Sequence, residues 1–150
     1  MTTEEDFHIR LVTWAEAGDR LGAVRETVFV HEQHVPLELE YDGLDPECLH
    51  ALAESESGEA IGTARLLPSG QIGRMAVLAP WRGRGVGSGL LRALLDEADR
   101  RGITDIHLHG QTQALGFYAR HGFSATGPEF MDAGIPHRRM VRRAGRHTGQ

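Results

Sequence analysis

Arg82-Gly83-Arg84-Gly85-Val86-Gly87-Ser88-Gly89 runs directly into Leu90-Leu91-Arg92-Ala93-Leu94-Leu95-Asp96-Glu97-Ala98. Val86, Leu90, Leu91, Leu94, Leu95 and Ala98 recur at helical spacing, and Gly102 stops the helix behind Arg100 and Arg101. A glycine-rich loop therefore feeds the start of the clearest helix in the chain. Glycines let backbone N–H groups turn inward and approach a ligand closely. The helix N-terminus adds about half a positive charge, and with Arg82 and Arg84 beside it the arrangement suits a phosphate. What the loop lacks narrows the ligand. A Walker loop needs Gly-Lys-Ser/Thr, and the chain contains no lysine. The dinucleotide pattern Gly-x-Gly-x-x-Gly also fails, its last place falling on Ser88 or on Leu90. Arg/Gln-x-x-Gly-x-Gly/Ala fits, as Arg82, Gly85 and Gly87.

Outward from the loop, strands and helices mix. Phe7–Leu11 alternates apolar and polar, the period of a half-buried strand. Asp19 is placed to cap a helix reaching Val30, with Leu21, Val24 and Val28 on one face. His31 to Glu47 holds Pro36, Gly43, Pro46 and six carboxylates and reads as a loop or broken helix. A three-strand meander follows over Leu49–Glu54, Ala60–Leu67 and Gln71–Leu78, with turns at Ser57-Gly58 and Pro68-Ser69-Gly70. Beyond the long helix come a strand at Asp105–His109 and a helix from Thr112 to His121, ended by Gly122. Two last strands flank a turn at Asp132-Ala133-Gly134. The order predicts an α/β fold, a mixed sheet with helices on its faces.

The length of 150 residues predicts one domain over 1–150, with a core of about 6–143 and a fraying basic tail at 144–150. No apolar run approaches the ~20 residues that span a bilayer, and the start is acidic rather than basic. Cys48 is the lone cysteine, which excludes a disulfide framework and a cysteine zinc site. A cytoplasmic protein without a membrane partner is expected. His31/His34 and His107/His109 each lack an adjacent third ligand, so no metal is expected. Residues 1–60 carry a formal −12 and residues 61–150 carry +7. The acidic half suits a cationic partner. Nucleic acid is not expected, because the basic half lacks interleaved aromatics and the chain as a whole is acidic.

Several segments together resemble the GNAT acyl-CoA N-acyltransferases. Arg82-x-x-Gly85-x-Gly87 is similar to their pyrophosphate loop, and Arg74-Met75-Ala76-Val77 to the strand before it. Gln111-x-x-Ala114-Leu115-x-Phe117-Tyr118-x-x-x-Gly122-Phe123 is similar to their second motif, although family members often carry Asn at the place of Gln111. Arg25-x-x-Val28-Phe29-Val30-x-Glu32-Gln33 and Gly134-Ile135-Pro136-His137 resemble the small ElaA-like subgroup.

The resemblance implies a mostly antiparallel sheet whose central strands splay, with the pantetheine arm in the gap like an added strand. It implies acetyl-CoA as co-substrate and direct transfer to a primary amine within a ternary complex. The CoA-binding residues it implies are Met75, Ala76 and Val77 on the strand, and Arg82, Gly83, Arg84, Gly85, Val86, Gly87 and Ser88 on the loop. Gln111, Ala114, Phe117 and Tyr118 complete them. Tyr118 would protonate the leaving thiolate. Glu32 is the first choice of base, with His50, His109, Glu129, His137 or a water chain open beside it. The acidic stretch Glu38, Glu40, Asp42, Asp45 and Glu47 would face the amine. A homodimer stays open. The rival readings are an acyl-homoserine-lactone-synthase-like enzyme and a CoA-binding module without catalysis.

Overall fold

Strand β1 (Phe7–Val12) ends against Thr13, and helix α1 (Trp14–Arg25) begins there. The Thr13 hydroxyl accepts from the Glu16 amide, and the Glu16 carboxylate accepts from the Thr13 amide at 2.8 Å. This reciprocal cap starts the helix six residues ahead of Asp19, which lies inside it. Leu21, Val24 and Val28 are buried on one face as the spacing predicts. The helix does not stop at Arg25. It widens into a π-helical stretch over Glu26–Glu32, and His34 follows with φ of 62°. A short helix α2 (Leu37–Glu40) and a 3₁₀ turn at Asp45–Glu47 complete the broken-helix segment.

The computed structural model describes residues 6–142; the expectation for the tail at 144–150 lies outside the described residues. The meander forms as β2 (Leu49–Ser55), β3 (Ala60–Leu66) and β4 (Gln71–Val77), and the long helix α3 spans Val86–Arg100. Strand β5 (His107–Gln111) starts two residues later than its apolar pattern suggests. The next helix shrinks to a 3₁₀ turn at Thr112–Ala114 and a five-residue α4 (Leu115–Ala119). Strands β6 (Phe123–Asp132) and β7 (Ile135–Arg142) pair through a two-residue turn. Ala133 and Gly134 both have positive φ, as a turn matched to strand twist requires.

The seven strands lie in one sheet of order β1-β2-β3-β4-β5-β7-β6, antiparallel except for β4 against β5. Helix α3 covers one face. Leu90, Leu91 and Leu94 join Ala51, Ala53, Ala64, Ile72 and Leu108 in the main core. Helix α1 and the π-helical stretch cover the other face, where Leu21 packs with Leu52, and Val24 and Val28 pack with Ala76. The one parallel pairing decides where a ligand can enter. It holds only Gln71 against His107 and Ile72 against Leu108, after which the two strands separate.

Candidate active site

From Gly73 onward β4 has a partner strand on one side only, β3. Backbone groups of an antiparallel strand point alternately to its two sides, so part of this segment turns N–H and C=O groups toward the gap. An extended arm laid there gains main-chain hydrogen bonds, as a strand added to a sheet edge does. Met75, Ala76 and Val77 occupy this stretch. The Val77 carbonyl already accepts from Arg82 Nε at 2.9 Å, which fixes the chain as it leaves the strand.

The glycine loop sits at the far end of the gap. Gly83 and Gly85 have φ of 75° and 89°, a backbone that L side chains rarely adopt, and a Cβ on either would meet nothing within 4 Å. Gly85 is the N-cap of α3 and makes no side-chain cap, so the first amides of that helix face the open loop. Gly87 serves another end: a Cβ there would lie 3.4 Å from the Phe117 ring. Ser88 Oγ lies 3.0 Å from His121 Nε2, which ties α3 to the end of α4. Arg84 stacks over Trp81 at 4.1 Å. Arg82 is exposed and donates to both oxygens of Glu32, at 2.7 and 3.0 Å. These features fit a pyrophosphate: two left-handed glycines, an uncapped helix start and two arginines beside them.

The gap opens into a cleft of about 280 Å³ between β4 and the end of β5. Met75 and Gly73 form one wall, Leu108, His109 and Gln111 the other, and Ala114 and Tyr118 its end. Phe29 and Gln33 roof it, and Asp132 and His137 enter from the β6–β7 hairpin. The roof is tied down by paired amides: Gln111 Nε2 donates to Gln33 Oε1 at 3.0 Å, and the reverse bond measures 3.5 Å.

Tyr118 packs edge-on against Phe117 and Phe123 and points its hydroxyl at Met75 Sδ, 3.9 Å away. Burial pushes the phenol up to about 12, so the oxygen keeps its proton. Gly110 makes the room, since a Cβ there would come within 3.1 Å of the ring.

The structure sorts the candidate bases. Glu32 is locked to Arg82, whose hydrogen bond holds the carboxyl below its usual range, and it does not line the cleft. His50 is fully buried with Nε2 3.0 Å from the Asp45 carbonyl, and burial lowers its pKa. Glu129 accepts from Thr112 at 3.0 Å and is exposed. His109 and His137 line the cleft. Burial lowers the pKa of His109, whose ring packs edge-on against Phe130. His137 Nδ1 donates to the Ile135 carbonyl at 2.7 Å, leaving Nε2 of the neutral ring with its lone pair.

Of the acidic stretch only Glu40 lines the cleft, and arginines pair its carboxylate. Arg25 is fully buried and pairs with Glu40 and Asp45 at 2.8 Å each, and Arg65 pairs with Asp42 and Asp45. Arg74 bonds Glu40 and Asp42. Three arginines thus neutralise three of the five carboxylates and fasten the segment to the sheet. Sequence reading missed the parts played by Arg74 and Gln33, because contacts 32 to 78 residues apart leave no local pattern.

Residues 14–144 match the acetyltransferase (GNAT) domain family. The Bacillus subtilis protein YyaT is 35% identical, with 98% of this chain and 95% of YyaT covered. A solved acyl-CoA N-acyltransferase from Pseudomonas aeruginosa superposes with a TM-score of 0.78 at 30% identity, covering 93% of this chain and 100% of that one. Escherichia coli ElaA superposes at 0.81 and 27% identity, over 91% and 99%. The fold is that of an acyl-CoA-dependent N-acyltransferase. The chain belongs to the GNAT family.

Among the described residues no group of three His, Cys, Asp or Glu is placed to hold a metal ion, and no helix is long and apolar enough to cross a membrane.

Proposed function

We propose that this protein is a cytoplasmic acetyltransferase that moves an acetyl group from acetyl-CoA to a small primary amine, directly and with both substrates bound. The observation that carries the reading is the early end of the β4–β5 pairing, with the Tyr118 hydroxyl and two histidines around the cleft it opens. Acetyl-CoA supplies the activated thioester, its pyrophosphate held by the loop amides, Arg82 and Arg84. Backbone groups of Met75, Ala76 and Val77 hold the pantetheine arm. An N–H near Ala76 or Val77 polarises the thioester carbonyl as charge builds on its oxygen.

His137 Nε2 takes the amine proton, directly or through water. Burial lowers the pKa of His109 beside it, and Asp132 favours the cationic form of the incoming amine. Tyr118 gives its proton to the departing sulfur. A phenol near 12 is acidic enough to hydrogen-bond a developing thiolate yet stays protonated at every working pH. The cleft volume and the Gln33–Gln111 roof favour a slender acceptor over a folded protein surface. A panel of small amines, with released thiol and acetylated product measured together, tests the reading. Equal amounts of both support it. Thiol released at one rate whatever amine is present contradicts it.

A further inference from the structure

Strand β4 changes phase in its middle. Ile72 lies opposite Leu66, and Val77 lies opposite Gly62. Leu66 and Gly62 are four apart on a regular strand and share a face, the α3 face, where a Cβ on Gly62 would touch Val86 and Leu90. Ile72 and Val77 therefore share that face although they are five apart, which an unbroken strand forbids. The extra residue enters between Gly73 and Ala76, where two residues of β4 stand against Ala64 alone. Arg74 is one of them, and its φ of 48° is left-handed. A long L side chain in that conformation is strained.

The side chain is fastened to compensate. Arg74 Nε and Nη2 donate to the Glu40 carbonyl at 3.2 and 3.0 Å. Nε also lies 3.2 Å from a Glu40 carboxylate oxygen, and Nη2 lies 3.3 Å from Asp42. Glu40 and Asp42 are themselves anchored by Arg25 and Arg65, so the clamp is built on a buried frame. The phase change has two effects at the cleft. Regular pairing with β5 ends at Ile72, just ahead of Arg74. Met75 and Val77 turn to the α3 face, where Met75 meets the Tyr118 hydroxyl; without the extra residue Met75 would face α1.

We propose that Arg74 is a positioning residue. Clamped by Glu40 and Asp42, it holds the left-handed backbone that inserts a residue into β4, parts β4 from β5 and aims Met75 at Tyr118. The proposal rests on the reading of Tyr118 as the proton donor for its catalytic consequence, and on the backbone alone for its structural one.

Arg74→Gly and Arg74→Ala separate the two. Both delete the same guanidinium, but only glycine takes positive φ without strain. Elsewhere in a strand glycine is the more damaging substitution; here the order reverses. The glycine variant melts a few degrees above the alanine variant, and its kcat exceeds the alanine variant's by ~10-fold or more, with KM for acetyl-CoA differing less between them. Equal or reversed melting order overturns the proposal, and so does equal kcat in the two variants, which would mean that the guanidinium itself acts. If the alanine variant does not fold, Arg74→Asn and Arg74→Gln replace the pair, since Asn tolerates left-handed backbone better at matched chemistry. Asn must then exceed Gln in both readouts, and parity overturns the proposal. A wild-type protein that acetylates no amine refutes the acetyltransferase reading, while the melting order still decides the role of Arg74.

Discussion

Glu32 and Arg82 hold each other through two hydrogen bonds that join the π-helical stretch over the cleft to the glycine loop. With its Nε given to the Val77 carbonyl, Arg82 has both terminal nitrogens engaged while this pair is closed. A pyrophosphate that engages Arg82 competes with Glu32 for it. Glu32→Gln should therefore tighten CoA binding by a few-fold, the scale of an exposed ion pair at ~0.2–1 kcal/mol. The pH–rate profile should keep its shape. Titration calorimetry and a pH series check both, and loss of the low-pH limb in this variant would restore Glu32 as the base.

His137→Gln removes the lone pair at Nε2. Turnover should fall by ~10²–10⁴-fold at neutral pH, the usual contribution of a positioned base. The affinity for CoA should stay. Unchanged turnover would assign the proton to His109 or to water.

Gly85→Val tests the loop. The φ of 89° strains any L residue, and the new side chain would fill the open space that the loop leaves. Affinity for CoA should drop by ~10-fold or more, a strain of ~1–3 kcal/mol, with the core unaffected. Arg84→Ala should weaken binding less and flatten its salt dependence.

Most of the sheet was legible from the chain because its signals are local. Apolar alternation marked β1, the Ser57-Gly58 and Pro68-Ser69-Gly70 turns marked the β2–β4 meander, the Asp132-Ala133-Gly134 turn marked the last hairpin, and the spacing from Val86 to Ala98 gave α3 its true length. The misses have physical reasons. Thr13 with Glu16 caps α1 better than Asp19 does, a reciprocal pair that a single-residue search overlooks. The phase change at Arg74 hides in a run that reads as plain strand. The place of the glycine loop at the head of α3 and of Tyr118 on the helix after β5 was legible from their motifs. The closeness of Glu32 to Arg82, 50 residues apart, was not, nor was the neutralisation of the acidic stretch by arginines from three elements.

Acid stability follows from Glu54. Hydrogen bonds from Arg10, and then from Arg20, hold its carboxyl down to about 2, against 4.5 for the free group. A depressed carboxylate stabilises the fold above its unfolded pKa and loses that contribution as the pH falls through its folded one. Wild type should therefore melt above Glu54→Gln at pH 7, and the gap should close between pH 4.5 and about 2. A gap that stays constant with pH would show that the pair adds packing rather than charge.

Tyr118→Phe in a single turnover is the most direct test, because it removes one oxygen and leaves the ring packed against Phe117 and Phe123. With acetyl-CoA and a saturating small amine, wild type should release thiol and acetylated amine together. The variant should bind CoA with nearly wild-type affinity yet transfer ~10²–10⁴-fold more slowly. Full-speed transfer by Tyr118→Phe, under conditions where chemistry limits the rate, would contradict the account.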